Sequence, residues 1–355
     1  MLQFLRRSAA SASARCTIRG TPLVTVHSLC YIRTPIRINP YSEQITIRNA
    51  STTCSSPTSL PSQDSQTLTL SNGHTLGFST CGSPSSQPIF YLHGFPSSRI
   101  EGLALSNLAQ KLGARIITPD RPGIGLSTFD PHRELVDYPD SISQLAKHLR
   151  LDTYRVLGAS GGGPYALACA KALPKDQLKR VGVLAGIGPP EAGLAGVRLG
   201  TRILLLSMSW APQAMRRMVD WSFVRAAQHP DPQVLRQTVL SQLKWGNESE
   251  RKHLLSDPVN FELLLRILRE HFRQGAQGFI KDGQIGTKPW GFSLEDVESD
   301  VVLWYGTDDV NTPALMGRYM ASRLKKAELK EYVGETHWTI FDNHGEEVLR
   351  DMLKD

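Results

Sequence analysis

The sequence predicts an α/β protein with a mostly parallel central sheet, helices on both faces and a helical insertion. Apolar runs typical of buried strands, such as "PIFYL" (88–92) and "YRVLGA" (154–159), alternate with helical segments. Strands of this kind that alternate with helices form parallel sheets covered on both sides. The alternation stops near residue 195 and resumes near 298, which predicts a helical insertion over 195–290.

Residues 1–60 have the composition of a mitochondrial transit peptide. They hold seven Arg, no Lys and a single acid, Glu43, among many Ser and Thr, and they lack the apolar stretch of a secretory signal. We therefore expect a mitochondrial, matrix protein whose leader is cleaved between residues 35 and 65. The alternative is a disordered basic tail on a cytoplasmic protein.

The rest of the chain is nearly neutral, because 33 basic and 32 acidic residues follow the leader. This balance gives no reason to expect a nucleic-acid partner. No run approaches the roughly 18 apolar residues of an integral membrane span. Cys81 and Cys169 lack metal-ligand spacing, and we expect neither a metal nor a cofactor.

The first part of the core is predicted over 65–190. It opens with a hairpin, since two alternating segments flank Asn72-Gly73, a strong hairpin signal. The predicted strands are 66–70, 74–80, 88–92, 114–119, 154–159 and 180–186. The predicted helices lie near 100–112, 140–150 and 163–173.

The second part of the core is predicted over 298–355, with strands at 300–306 and 327–333 and helices from Pro313 and near 344–354. The insertion before it is rich in large apolar side chains, which either line a largely apolar pocket or pack the insertion onto the core. These residues, with one beside a candidate catalytic histidine, are Met208, Trp210, Trp221, Phe223, Trp245 and Trp338.

Ser160 stands in "GASGG" (158–162), which fits the pattern G-x-S-x-G between a strand and a helix. In that context the serine takes a strained turn, and the glycines leave room for the strand and the helix to pack. A glycine-rich phosphate loop or a plain turn is the alternative for the pattern alone. A serine nucleophile also needs a base and a carboxylate that orients it.

Both groups follow downstream, in the order acid then histidine. Asp308 and Asp309 lie at the carboxyl end of an apolar strand, and His337 follows the next strand in "GETHWTIF". Two backbone amides are candidates for binding an oxyanion. Gly161 comes directly after the serine, and Phe95 lies in "LHGFP" (92–96) after the third strand.

Five motifs together resemble the α/β-hydrolase superfamily, in particular its cap-bearing enzymes with an HG-x-P motif. They are "HGFP", "DRPGIGLS", "GASGG", "GTDDVNTP" and "GETHW", in the family's order, and the resemblance covers about residues 65–355. It implies that Ser160 is the nucleophile, His337 the base and the insertion a cap. Counting from Gly306 assigns the acid to Asp309, with Asp308 as its rival and Glu191 as the alternative after the preceding strand.

The resemblance implies a serine hydrolase that acts by acyl transfer on a carboxylester, amide, thioester or carbon–carbon bond of a small, largely apolar substrate. Ser160 disfavours epoxide hydrolases and haloalkane dehalogenases, which attack with a carboxylate. Gly161 disfavours proline iminopeptidases, which usually carry Trp there. The alternatives are a receptor-like binding protein with little turnover and a cofactor-free lyase or acyltransferase. The oligomeric state stays open.

Overall fold

The structure, a computed structural model, describes residues 63–244 and 248–354, so the predicted leader (1–60) and Trp245 lie outside the described residues. One sheet of eight strands forms its centre. The strands are β1 (Gln66–Thr69), β2 (Thr75–Gly82), β3 (Gln87–Leu92), β4 (Ala114–Pro119), β5 (Tyr154–Ala159), β6 (Leu178–Leu184), β7 (Val301–Gly306) and β8 (Ala327–Tyr332).

The strand order is β1-β2-β4-β3-β5-β6-β7-β8. The pairs β1–β2 and β2–β4 are antiparallel, and every pair from β4–β3 to β7–β8 is parallel. β1 and β2 form the hairpin predicted around Asn72-Gly73, with Thr69 opposite Thr75 and Gly73 at a positive φ of 83°. The predicted α/β class with a mostly parallel sheet is confirmed.

Twelve α-helices lie within the described residues. They are α1 (Ser106–Leu112), α2 (Tyr138–His148), α3 (Gly163–Ala172), α4 (Leu199–Trp210), α5 (Pro212–Val219), α6 (Arg225–Ala227), α7 (Pro232–Leu243), α8 (Glu248–Ser256), α9 (Pro258–His271), α10 (Gln277–Gly286), α11 (Ala314–Arg323) and α12 (Thr339–Met352). None of them is both long and apolar enough to cross a membrane.

Helices cover both faces of the sheet because successive side chains of each strand point to opposite faces. In β3, Phe90 and Leu92 join a core with residues of α2, α3 and α11, whereas Ile89 and Tyr91 join a second core with residues of α1 and α12. The continuous apolar runs that predict the strands are the consequence of this two-sided burial.

Helices α4–α10 lie between β6 and β7, where the helical insertion was predicted, and are called the cap below. They have an apolar core of their own, which includes Met208, Leu235, Phe261 and Phe272. The cap is therefore a packed helical layer with its own apolar core rather than a long loop.

Several boundaries differ from the predicted ones. The helix expected over 100–112 consists of a 3₁₀ segment, Arg99–Leu105, followed by α1. Strand β6 begins at Leu178 rather than 180 and ends at Leu184. Helix α12 begins at Thr339 rather than near 344. Gly345, which lies inside this helix, obscured its first turn because glycine is a poor helix former.

Candidate active site

Ser160 lies in the turn between β5 and α3, with a φ of 51°. A positive φ costs a non-glycine residue about 1–3 kcal/mol, so the surrounding packing must hold it in place. The turn leaves the serine half-buried at the carboxyl edge of the sheet. This is the strained, accessible serine that the G-x-S-x-G pattern predicts.

Two glycines make this turn possible by allowing backbones to approach one another. A Cβ on Gly162 would lie 2.0 Å from the carbonyl oxygen of Leu92, at the end of β3. A Cβ on Gly158 would lie 2.4 Å from the carbonyl oxygen of Gly162. Side chains at either position would push the turn away from the sheet.

His337 lies on the loop between β8 and α12, and its ring connects two groups. Its Nε2 is 3.1 Å from the Ser160 hydroxyl oxygen, and its Nδ1 is 2.7 Å from Oδ2 of Asp309. A carboxylate beside Nδ1 places the ring proton there, which makes Nε2 the acceptor for the serine proton. The three predicted side chains thus form one chain of hydrogen bonds.

Asp309, rather than Asp308 or Glu191, contacts the histidine. Oδ1 of Asp309 accepts the backbone N–H groups of Asn311 (2.7 Å) and Thr312 (2.8 Å). The rival carboxyl of Asp308 is exposed and accepts a hydrogen bond from the neighbouring Thr307. Glu191 is exposed and lies in a 3₁₀ turn.

The environment of Asp309 keeps it ionised. Burial by itself would raise the pKa of this carboxyl group, but His337 and the donors of Thr312 outweigh burial and hold its pKa below the ordinary value. The Thr312 hydroxyl oxygen also lies 2.8 Å from Oδ2 of Asp309 and 3.1 Å from Nδ1 of His337. Thr312 was not among the predicted site residues, although "TDDVNTP" has the spacing of an Asx turn that would indicate it.

The backbone amides of Phe95 and Gly161 lie close together beside the serine. A Cβ built on Gly161 would be 3.2 Å from the Phe95 nitrogen, and one built on Gly94 would be 3.5 Å from Cβ of Ser160. Gly161 also precedes α3, so the positive end of the helix dipole faces the same point. Two such donors can stabilise a negatively charged oxygen.

A small cavity opens beside Gly161, between the sheet edge and cap helices α4 and α10. Its walls are mainly apolar. Three polar side chains, Arg121, Tyr165 and Asp282, lie together in the lining, where Asp282 contacts the other two. The lining is Phe95, Arg121, Gly161, Pro164, Tyr165, Ile187, Leu205, Asp282, Gly283, Ile285 and Gly286. The sequence predicts no role for Arg121, although it stands in "DRPGIGLS", or for Asp282, which lies in the cap outside every motif.

Of the two alternatives for the large apolar residues singled out in the sequence, lining a pocket and packing, the first does not hold for the described ones at this cavity. Trp210 and Trp221 are 86% and 59% exposed. Met208 is buried in the cap core, and Phe223 stacks on Phe272 with ring centroids 5.9 Å apart. Trp338 packs edge-on against His337 at 6.0 Å, outside the cavity lining.

The arrangement can perform general-base chemistry on an alcohol. A histidine with a carboxylate on Nδ1 can remove the proton of a serine hydroxyl at Nε2 and later return it to a leaving group. Within residues 63–244 and 248–354, His, Cys, Asp and Glu form no group of three or more that could hold a metal ion.

Comparison with known proteins agrees with this fold. A sequence model described as "Alpha/beta hydrolase family" matches residues 89–351. The chain is similar to a solved alpha/beta hydrolase fold protein from Nakamurella multipartita, with a TM-score of 0.55 and 20% identity over 81% of this chain and 98% of that one. The likeness at this level of identity is one of fold.

Two curated relatives carry names of enzymes. A proline iminopeptidase of Xanthomonas citri is 35% identical over 108 residues, which are 29% of this chain and 34% of the relative. A bifunctional esterase/perhydrolase of Acinetobacter calcoaceticus is 23% identical over 81% of this chain and 97% of its own length. The match to the iminopeptidase thus spans about a third of that protein.

Proposed function

The chain belongs to the alpha/beta hydrolase family, and on this premise we propose that it is a serine hydrolase that cleaves small esters through an acyl-enzyme on Ser160. The observation that carries the proposal is the chain of hydrogen bonds from Ser160 through His337 to Asp309. The amides of Phe95 and Gly161 beside it supply the second requirement of acyl transfer.

In the proposed first half-reaction, Oγ of Ser160 attacks the ester carbonyl while Nε2 of His337 takes the hydroxyl proton. Asp309 stabilises the imidazolium that forms. The carbonyl oxygen becomes an oxyanion that accepts hydrogen bonds from the amides of Phe95 and Gly161, each worth about 3–4 kcal/mol in the transition state. The intermediate then collapses, and His337 protonates the departing alcohol.

In the second half-reaction, water attacks the acyl group on Ser160. His337 takes a proton from this water, and the second tetrahedral intermediate forms at the same two amides. Its collapse breaks the bond to Oγ, and His337 returns the proton to that oxygen. The products are a carboxylic acid and the free enzyme, so no cofactor is required by this sequence of steps.

The cavity supports a short, apolar acyl group. Phe95, Pro164, Ile187, Leu205 and Ile285 supply apolar walls, and the space they enclose is small. The charged groups of the lining bind each other, since Nε of Arg121 lies 2.7 Å from Oδ2 of Asp282, and they offer little to a polar acyl group. The leaving group would lie outside this cavity.

A second candidate is cleavage of an amide bond after an amino-terminal residue. The name of the Xanthomonas citri relative favours it, although the stretch that matches covers only a third of that protein. Amides are harder to cleave than esters because their leaving group must be protonated, but the same serine, histidine and oxyanion donors serve both reactions.

The test is a panel of p-nitrophenyl esters from acetyl to long-chain acyl, together with proline p-nitroanilide. We expect kcat/KM to be highest for short acyl esters and to fall with chain length. Ser160→Ala should lower turnover by about 10⁴-fold or more.

Asp308→Asn serves as the matched control and should retain activity within about threefold, because its carboxyl group does not contact His337. Ester hydrolysis at equal rates in wild type and Ser160→Ala would refute the serine mechanism. Binding of esters without turnover would favour the receptor-like alternative, and preference for the anilide would favour the aminopeptidase.

We also propose that residues 1–60 direct the protein to the mitochondrial matrix, on the strength of their seven Arg and single acid. A fusion of this segment to a fluorescent protein should accumulate in mitochondria. The same fusion with all seven Arg replaced by Gln should not. A cytosolic location of the unaltered fusion would contradict the proposal.

A further inference from the structure

The direction of the Phe95 amide is set by the peptide unit that joins it to Gly94. In a trans peptide the C=O and N–H groups point in opposite directions and share one plane. A partner that binds the Gly94 carbonyl therefore fixes the direction of the Phe95 N–H, whose nitrogen lies close to Gly161. The groups that bind this carbonyl are thus in a position to control the oxyanion site.

Arg121 binds this carbonyl from the loop after β4. Its Nη2 donates to the Gly94 oxygen at 2.8 Å, and its Nη1 donates to the His93 oxygen at 2.5 Å. Nδ1 of His93 lies 3.0 Å from the same Gly94 oxygen. On the other side, the Gly94 N–H donates to Glu101 at 3.0 Å. Hydrogen bonds therefore hold both the N–H and the C=O of Gly94, the residue before Phe95.

Arg121 is in turn held by the cap. Its Nε donates to Oδ2 of Asp282 on α10 at 2.7 Å, and the two side chains are 1% and 4% exposed. The other carboxylate oxygen of Asp282 accepts from Arg133 and, at 3.1 Å, from the Tyr165 hydroxyl. Burial alone would raise the pKa of Asp282, but Arg121 and Arg133 hold it well below the ordinary value, so the carboxylate stays charged.

Helix α10 packs closely against the core beside this contact. A Cβ on Gly278, in its first turn, would be 2.4 Å from the Gly123 carbonyl oxygen, two residues after Arg121. The ring of Phe95 stacks on Phe279 of α10, with centroids 4.7 Å apart and planes 19° apart. The cap therefore contacts Phe95 through the ring of Phe279 and contacts Arg121 through the carboxylate of Asp282.

We propose that Arg121 and Asp282 are positioning residues: through the Gly94 carbonyl they aim the Phe95 amide at the oxyanion, so full activity requires α10 packed on the core. This inference rests on the proposed serine hydrolase function. It gives the cap a part in catalysis in addition to shaping the substrate cavity.

The test compares Arg121→Met and Asp282→Asn with wild type. In Arg121→Met, Asp282 keeps its pairing with Arg133, so no carboxylate is left alone in the interior. The matched control is Glu270→Gln. It breaks a different ion pair between cap and core, in which Glu270 of α9 contacts Arg99 at 2.6 Å, away from the Gly94 carbonyl.

With a short p-nitrophenyl ester, kcat and KM are measured, and kcat is expressed per active site after titration of the active sites with a fluorophosphonate. With a trifluoromethyl ketone, the inhibition constant is measured. The ketone carbon bonds to Oγ of Ser160 while His337 takes the hydroxyl proton, which leaves an oxyanion at the two amides. The inhibition constant therefore reports the oxyanion site directly.

We expect Arg121→Met to lower kcat per active site about 10- to 100-fold, which is less than the loss expected if an oxyanion donor were removed altogether. The ketone inhibition constant should rise by a similar factor. KM should change by less than about threefold. Asp282→Asn should show a smaller effect in the same direction, and Asp282→Glu should partly restore it. Glu270→Gln should stay within about twofold of wild type in both readouts.

A kcat per active site and ketone affinity in Arg121→Met equal to those of Glu270→Gln would overturn the inference. A lower yield of folded protein with an unchanged kcat per active site would also overturn the inference, because that is the effect of a purely structural residue. If Asp282→Asn does not fold, Arg121→Met and Asp282→Glu decide alone. Failure of the proposed function is distinguishable, since wild type would then hydrolyse no ester faster than Ser160→Ala.

Discussion

Among single residues, the adjacent aspartates Asp308 and Asp309 differ in burial and in hydrogen-bond partners. Asp309 points into the protein, accepts two backbone N–H groups and contacts His337, whereas the Asp308 carboxyl is exposed. The turn formed by Asn311 and Thr312 causes this difference, because it needs an acceptor at position 309. The carboxylate that holds the imidazole is thus itself held by its own loop.

Asp309→Asn should lower kcat about 10³- to 10⁴-fold, because a neutral amide no longer selects the tautomer with a proton on Nδ1 or stabilises the imidazolium. Asp308→Asn should leave kcat within about threefold. Stopped-flow or steady-state hydrolysis of a short ester checks both. Equal losses in the two variants would contradict the assignment.

The sequence could indicate Ser160, His337 and the pair Asp308–Asp309 because each lies in a short local motif that follows a strand, and the family resemblance then favoured Asp309. It could not predict Thr312, which acts on Asp309 through a turn, or the pair Arg121 and Asp282, which are 161 positions apart. A contact of that kind depends on how the cap sits on the core. Trp210 illustrates the same limit, since its apolar ring indicates a buried side chain but is mostly exposed.

Among elements, the unit formed by β3, β5 and α3 determines where the serine lies. Strand β5 ends at Ala159, the turn passes under the end of β3, and α3 begins at Gly163. The close approach of Gly162 to Leu92 holds these elements together. The strands were predictable because they are buried on both faces. The start of α12 was not, because Gly345 interrupts the helical pattern without ending the helix.

Gly162→Ala should destabilise the protein by about 1–3 kcal/mol or more, because its Cβ would meet the Leu92 carbonyl oxygen at 2.0 Å and the backbone must move. It should also lower activity by displacing Ser160. Thermal unfolding followed by circular dichroism gives the change in stability.

Gly345→Ala is the control for this substitution. No atom lies within 4 Å of a Cβ built at Gly345, and the residue is inside α12, where alanine is favoured by up to about 1 kcal/mol. We expect this variant to unfold at the same or a higher temperature. A lower unfolding temperature in Gly345→Ala than in Gly162→Ala would contradict the packing account.

In the whole molecule, cap and core share buried polar contacts. Arg121 pairs with Asp282 of α10, Arg99 pairs with Glu270 of α9, and Nδ1 of His271 lies 2.6 Å from the Ser97 carbonyl oxygen. A buried group loses its partner if cap and core separate, which is costly. We therefore expect cap and core to unfold together in one transition.

His271 makes this junction sensitive to acid. Burial lowers the pKa of His271 to about 4, against an unfolded value near 6.5. Between these values the unfolded chain binds a proton that the folded protein does not, so the free energy of unfolding falls as the pH falls. The maximal contribution is about 1.4 kcal/mol per pH unit, or about 3 kcal/mol over the window.

Asp120 has the opposite effect on the free energy of unfolding as the pH falls, because burial outweighs the attraction of Arg99 and raises the pKa of Asp120 to about 6. The folded protein therefore binds this proton before the unfolded chain does. A comparison of wild type with His271→Gln removes that shared effect. The stability advantage of wild type should shrink by up to about 3 kcal/mol from pH 7 to pH 4 in urea unfolding. A constant difference across this range would contradict a neutral, buried His271.

The central claim, that an acyl group passes through Ser160, is tested most directly by trapping that intermediate. The protein is mixed with excess p-nitrophenyl acetate, quenched in acid on the millisecond scale and digested for mass spectrometry. We predict a burst of p-nitrophenol close to the concentration of active sites and an acetyl group on the peptide that contains Ser160. Turnover with no acetyl group on that peptide, or undiminished turnover in Ser160→Ala, would contradict the account.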